Sequence, residues 1–268
     1  YVLVIPRLKL RRTISVYMKT VLVGVGQAGG KLADQLVSFD RESGYESIQN
    51  AVAINSAKTD LQPLAIDTIL IGQDRVKGHG VGGDNELGAE IMEADLPEVQ
   101  QEVSNRITSE AESIILTTGL GGGTGSGGTP VLARRLKEIY EIPVYVLAVL
   151  PSTEESNLVH VNAGRSLKTI TGTVDAMIAI DNDAWKSTGE SLTEGYQRIN
   201  EQIAKRIGLL LAAGEVSDGV AESVVDSSEV INTLRTGGIA AIGYNEVQAA
   251  ESSKLPYPTP SAQTRLSP

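Results

Sequence analysis

The feature that most constrains this chain is Thr118-Gly-Leu-Gly-Gly-Gly-Thr-Gly-Ser-Gly-Gly128. An apolar run, Ser113–Thr117, leads into it and reads as a buried strand. A helix-patterned run, Pro130–Tyr140, leads out of it. The glycines therefore occupy a strand-to-helix turn. Glycine reaches backbone angles closed to other residues and lets a ligand approach the main chain. Successive free N–H groups at a helix N-terminus form an anion site. Thr124 and Ser126 add hydroxyl donors. A ligand with several phosphates suits this chemistry. A flexible linker does not, because patterned elements abut the glycines on both sides.

The chain has 268 residues, 41% of them hydrophobic, enough to bury a sizeable core. Its net charge of −10 repels phosphate backbones and anionic lipids at long range, so nucleic acid is not an expected partner. Aromatics at 4% are too few for a base-stacking platform. With no cysteine there is neither a disulfide nor a thiolate metal site. No apolar run approaches the roughly 18 residues of a membrane span. These features agree with a cytoplasmic protein.

Residues 1–17 place apolar Val2–Ile5 before basic Arg7, Lys9, Arg11 and Arg12, the reverse of a signal peptide. They read as an arm or as sequence upstream of a start at Met18. Thr20–Val25 reads as a buried strand, followed by Gly26-Gln-Ala-Gly-Gly30 and apolar residues at helical spacing. Gly24, Gly26 and Gly29 spell GxGxxG, which alone suggests a dinucleotide fold. That fold needs an acid after its second strand to hold a ribose; here Ala51–Ile54 ends in Asn55-Ser56. A P-loop is excluded because Lys31 precedes Leu32 rather than Ser or Thr. Ile66–Ile71 is a further strand. Lys77–Glu86 is a second glycine cluster, with His79 an exposed loop residue in the simplest reading. Residues 86–94 and 97–107 pattern as helices, Val144–Val149 and Ala176–Ile180 as strands, and Gly237–Gly243 as a last apolar strand. Ser191–Ala213 is a long helix with Tyr196 and Asn200 four apart on one face. The proline-broken end from about 251 reads as disordered. The pattern is that of an α/β protein, a mostly parallel, doubly wound sheet with helices on both faces.

Gly121-Gly-Gly-Thr-Gly-Ser-Gly127 resembles the signature of the tubulin/FtsZ superfamily of GTPases, and the chain around it resembles the archaeal tubulin-like CetZ group over about residues 18–250. The resemblance implies GTP and GDP as ligands, with Mg2+ bound mainly through the nucleotide and no protein metal site. It assigns phosphate or guanine contacts to Gly26, Gln27, Ala28, Gly29, Gly30 and Lys31, and a second loop to Asn55. Gly82 and Gly83 fall in the loop that closes on the γ-phosphate. Gly122, Gly123, Thr124, Gly125 and Ser126 form the signature turn. Pro151 followed by Glu155 resembles the ribose loop, with Glu154 the alternative register. Asn182 falls where the family reads the guanine edge, a position where Asn is equally a strand-ending turn residue. Tyr196 and Asn200 match the residues that stack on and bond the base. Asp226 and Glu229 match two catalytic acids that act on the neighbouring subunit's nucleotide, although Val224 stands where the family has asparagine.

The implied layout is an extension at 1–17, a GTP-binding domain at 18–214, an acidic-loop segment at 215–250 and a tail at 251–268, with the family's second domain missing. The implied function is GTP hydrolysis with head-to-tail self-assembly, serving cell shape or division. A nucleotide-binding protein that does not polymerise is the alternative, and a dinucleotide-dependent oxidoreductase is the third class.

Overall fold

Parallel strands joined by crossover helices bury both faces, so their sequences run almost continuously apolar. The computed structural model, which describes residues 18–183, 192–211, 227–235 and 237–242, has this organisation. In chain order the elements are β1 (Thr20–Val25), α1 (Gly26–Ser43), β2 (Ile48–Asn55), α2 (Lys58–Leu61), β3 (Asp67–Leu70), α3 (Gln73–Val76), α4 (Asn85–Ala94), α5 (Leu96–Ser104), β4 (Ser113–Gly119), α6 (Thr124–Ile139), β5 (Val144–Leu150), α7 (Asn157–Thr171), β6 (Ala176–Asp181), α8 (Leu192–Leu211), α9 (Ser227–Leu234) and β7 (Ile239–Ala240). The strands form one sheet in the order β3-β2-β1-β4-β5-β6-β7, and every pairing is parallel.

Successive strand residues point to opposite sides, and the core divides accordingly. Val23, Val25, Ile114, Leu116 and Val146 pack with Ile91 and Met92 of α4 and Leu132 and Leu136 of α6. Leu22, Ile115, Tyr145, Leu147 and Ile178 pack with Leu32 and Leu36 of α1 and Ile199, Ile203 and Ile207 of α8. The chain works outward from β1 to β3, then returns to β4 and works outward the other way. The reversal lies between β1 and β4, where the carboxyl ends of an open α/β sheet leave a crevice.

The glycine turn is shorter than its sequence suggests. β4 continues to Gly119, and α6 begins at Thr124 rather than Pro130. Gly125, Gly127 and Gly128 are thus helical residues, kept small by packing. A Cβ on Gly127 would lie 2.0 Å from the Asn85 carbonyl oxygen and 2.7 Å from the Ala89 nitrogen, main-chain atoms of α4. One on Gly125 would lie 2.7 Å from Thr118 Oγ1 and 2.9 Å from the Val25 carbonyl oxygen. Pro130 sits inside α6 without an N–H to give to the carbonyl four residues back. That carbonyl, on Ser126, accepts instead from Ser166 Oγ of α7 at 2.9 Å. The last strand is also shorter than expected, since among the described residues of the 237–243 run only Ile239 and Ala240 pair in register with β6.

Candidate functional site

At the reversal between β1 and β4 the structure has a cleft of about 490 Å3. Two helix N-termini open into it. α1 starts directly from β1 at Gly26, whose φ of 75° favours glycine and whose absent Cβ leaves room for the Gly125 nitrogen. α6 starts from the glycine turn. Neither helix has a side-chain cap, and neither has an acid in its first turn. Their first N–H groups therefore lack internal partners and favour an anion. α4 differs: Asp84 Oδ1 caps it by accepting from the N–H groups of Glu86 and Leu87 at 3.0 Å.

The floor of the cleft is Gly26, Gln27, Ala28 and Lys31 from α1, and Gly122, Gly123, Thr124 and Gly125 from the turn into α6. Gly122 is the open cradle, because a Cβ added there meets nothing within 4 Å. The loop from Val76 to Asp84 crosses in front of the turn, and its Gly82 and Gly83 line the cleft with positive φ values of 61° and 84°. It is strapped to the end of β2, since Gly80 N–H donates to the Ser56 carbonyl at 3.1 Å and Lys58 N–H to the Gly78 carbonyl at 2.9 Å. Ser56 Oγ in turn shares a hydrogen bond with Thr124 Oγ1 at 2.7 Å.

Asn55 is buried at the end of β2 and lines the cleft. Its Oδ1 accepts from Ser56 N–H at 2.8 Å, and its Nδ2 donates to Asp60 Oδ2 at 3.1 Å. Gln27 Nε2 donates to the other Asp60 oxygen at 3.0 Å. An amide committed this way does not offer the carboxylate pair that holds the ribose of a dinucleotide.

The far end of the cleft is built by β5, β6 and α8. Glu155 lines it and Glu154 does not; Glu155 Oε1 accepts from Ser152 N–H at 2.9 Å. Asn182 is 6% exposed and lines the cleft, while neighbouring Asp183 turns back to accept from Ser152 Oγ and Thr153 N–H. Tyr196 and Asn200 face the cleft one turn apart on α8. An amide here can both donate to and accept from a purine edge.

Three expected contact residues do not line the cleft. A Cβ on Gly29 would fall 2.1 Å from the Thr117 carbonyl oxygen, and Thr117 Oγ1 donates to the Gly29 carbonyl at 2.8 Å, so this glycine seats α1 on β4. Gly30 packs toward Leu64 and Ala53. Ser126 turns its hydroxyl back to the carbonyls of Gly122 and Gly123. Asp226 lies outside the described residues, and so does the side chain of Glu229, whose backbone is in α9. His79 is exposed and lines the cleft. Sequence reasoning missed Val81, Val149, Leu150 and Val159, apolar cleft residues that no local motif distinguishes from core.

The donor set fits a polyphosphate, with an open glycine cradle between two uncapped helix starts. Among the described residues no group of three or more His, Asp or Glu side chains gathers to hold a metal. Asp60 and Glu155 are the cleft's two carboxylates, one at each end, and Asp60 beside the phosphate-side floor suits Mg2+ that keeps most of its ligands as water and substrate phosphates. No helix among the described residues is long and apolar enough to cross a membrane.

Residues 19–190 match the family model for the tubulin/FtsZ family, GTPase domain, and residues 189–259 match that for the tubulin-like CetZ C-terminal domain. The second match corrects the expectation that the family's second domain is missing. The chain is 62% identical over 237 residues to the tubulin-like protein CetZ2 of Haloferax volcanii, covering 88% of this chain and 66% of that protein. It superposes on a GTPγS-bound protofilament of that CetZ2 with a TM-score of 0.79, covering 83% of this chain and 64% of that one. A GDP-bound monomer of H. volcanii CetZ1 gives a TM-score of 0.77 at 50% identity, covering 83% of this chain and 66% of that one. The chain spans just under two thirds of the length of these relatives. The fold, the glycine signature and the match over most of the sheet place this chain in the tubulin/FtsZ family, where its likeness is to the tubulin-like CetZ proteins.

Proposed function

We propose that this chain binds guanine nucleotides, hydrolyses GTP and assembles head to tail with copies of itself as a cytoplasmic cytoskeletal protein acting in cell shape or division. The observation that carries the reading is the polarity of the cleft. Uncapped helix starts lie at its β1/β4 floor, and the amides of Asn182 and Asn200 with the ring of Tyr196 lie at its β6/α8 end. A purine nucleotide matches that spacing of anion donors and edge-reading groups. The relatives' GTPγS-bound protofilament and GDP-bound monomer support guanine as the base and a polymer as the product. Phosphoryl transfer to water rests on positioning and charge neutralisation more than on covalent chemistry. The N–H groups of the 26–28, 81–83 and 121–125 segments supply the positioning, and Mg2+ carried with the phosphates supplies charge neutralisation.

The catalytic acids are Asp226 and Glu229, acting on the nucleotide of the next subunit. α8 starts beside the base end of the cleft and runs to the opposite, amino-terminal end of the strands, where the Leu211 carbonyl accepts from Met18 N–H ahead of β1. Its 20 residues span roughly 30 Å at 1.5 Å per residue. Acids that follow it in the chain reach a phosphate more readily across a head-to-tail contact, the heterologous type that grows filaments. The test is identification of the nucleotide released on denaturation, together with phosphate release measured against protein concentration. GDP or GTP in the released fraction, and specific activity rising with concentration, are expected. Equal affinity for ATP and GTP refutes the guanine assignment, and concentration-independent turnover refutes catalysis across the contact.

A further inference from the structure

Asn162 lies in the second turn of α7, is 1% exposed and does not line the cleft. Its side-chain amide nitrogen donates to two carbonyls on different loops, Gly83 at 2.7 Å and Gly121 at 3.1 Å. Such a nitrogen has two N–H groups, and both are engaged here. The two carbonyls belong to the loops that face each other across one end of the cleft, 80–83 and 121–123.

The consequence is directional. A planar trans peptide sets its N–H opposite its C=O. Holding the Gly121 carbonyl toward α7 turns the next N–H, that of Gly122, away from α7. Gly122 lines the cleft, and among the described residues its N–H has no protein acceptor. On the other loop, the peptide after Gly83 gives its N–H to the Val81 carbonyl at 3.0 Å, closing the turn that presents Gly82. That loop is also anchored on the β2 side by the Ser56 and Lys58 backbone bonds. Asn162 supplies the α7-side anchor and joins it to the glycine turn.

The position in the cleft identifies what is recognised there. α8, with Tyr196 and Asn200, packs on one face of the sheet, and α4, α6 and α7 pack on the other. A nucleotide with its base against α8 crosses the floor at Gly26 and Gly125 and brings its last phosphate to the end where 80–83 meets 121–122. We propose that Asn162 is a positioning residue of the nucleotide site, clamping the Gly83 and Gly121 carbonyls so that the two loops together recognise the terminal phosphate of a nucleoside triphosphate. This rests on the nucleotide-binding reading above.

The experiment is calorimetric titration of the full chain with GTPγS and with GDP, alongside thermal melting. Asn162→Ala is expected to weaken GTPγS about tenfold, the loss of one to two neutral hydrogen bonds, while GDP changes less than twofold. Ser166→Ala is the control. It removes an equally buried hydrogen bond one turn further along α7, to the Ser126 carbonyl, and is expected to lower the melting temperature with the GTPγS-to-GDP ratio unchanged. A folded Asn162→Ala with an unchanged ratio overturns the proposal. So does an equal ratio change in Ser166→Ala, which marks general softening of α7. If Asn162→Ala does not fold, Asn162→Asp carries the same expectation, and failure of both to fold makes the residue a requirement of the fold and overturns its positioning role. An unmutated chain that binds neither nucleotide refutes the function reading, a result separate from all of these.

Discussion

Gly122→Ala separates the ligand role of the glycine turn from its structural role. A Cβ at Gly122 meets no atom within 4 Å, and its φ lies outside the left-handed region. The folded chain therefore accepts alanine, with a change in stability within about 0.5 kcal/mol or a gain of up to about 1 kcal/mol from the stiffer unfolded chain. Binding is different. A phosphate oxygen bonded to the Gly122 N–H sits about 2.9 Å from the nitrogen, in space that the new methyl group crowds. Losing one charge-assisted hydrogen bond costs roughly 1.5–3 kcal/mol, and each tenfold in affinity is about 1.4 kcal/mol. GTP affinity should thus fall about ten- to hundredfold with the melting temperature within about 4 °C of the unmutated chain. Fluorescence titration with a labelled GTP analogue and a thermal melt on the same sample measure both. Gly123 is the contrast: its Cβ would lie 2.4 Å from Val81 Cγ2 and 2.9 Å from the Asp84 carbonyl oxygen, so substitution there displaces the 81–84 loop as well. Unchanged GTP affinity in Gly122→Ala means that the turn does not cradle phosphate. A melting temperature lowered as far as in Gly123→Ala means that Gly122 is another packing glycine.

Asn182→Ala should weaken GTP by about 1–3 kcal/mol through the unpaired base edge and leave ATP affinity little changed; titration with both nucleotides checks this, and equal losses refute base reading. Gly127→Ala forces a Cβ against the main chain of α4 at 2.0 Å, an overpacking that costs about 3 kcal/mol or more and lowers the melting temperature by roughly 6–12 °C. Gly164→Ala, exposed in mid-α7 with nothing within 4 Å, should instead stabilise by up to about 1 kcal/mol. Burial, reinforced by Asp175, pushes the Tyr145 phenol up to about 12, and among the described residues its hydroxyl has no hydrogen-bond partner. The folded state keeps this proton when the unfolded state has lost it, so stability falls as pH rises from about 10 toward 12. Tyr145→Phe should flatten that alkaline fall and leave stability at pH 7 nearly unchanged or raised, as read by denaturant titrations across the pH range.

Much of the sheet was legible because its strands are buried on both faces. Thr20–Val25 reads as one apolar run in the sequence and is β1 with the same bounds. β5 and β6 each run one residue past their apolar runs. The edges were less legible. β3 carries exposed Asp67 and Thr68, and β7 keeps two residues of a longer apolar run with Ile239 56% exposed, since an edge strand is held by one neighbour and needs less apolar sequence. The start of α6 was hidden for another reason. Its first turns are glycines, which are poor helix formers by propensity, and α4 packing onto α6 overrides that preference. Nothing local in Gly125–Gly128 announces the contact with Asn85 and Ala89.

The glycines also explain why the chain imitates a dinucleotide fold at its start. In Gly24-x-Gly26-x-x-Gly29, the first and last seat α1 on β1 and β4: a Cβ on Gly24 would lie 2.7 Å from the Gly29 carbonyl oxygen, and one on Gly29 would lie 2.1 Å from that of Thr117. These close approaches belong to any helix that starts directly from a central parallel strand, whatever ligand follows. Gly26, with its positive φ, is the one of the three that lines the cleft. The spacing GxGxxG thus reports the packing of the first β-α unit, and the ligand is decided by what the other loops bring. Asn55 is tied to Asp60 and Ser56, so the end of β2 has no free acid for a ribose. The glycine turn at 120–123 instead sets a further uncapped helix, α6, across the sheet from α1. Two anion-favouring helix starts on the two sides of one reversal point suit a chain of phosphates better than a single pyrophosphate does.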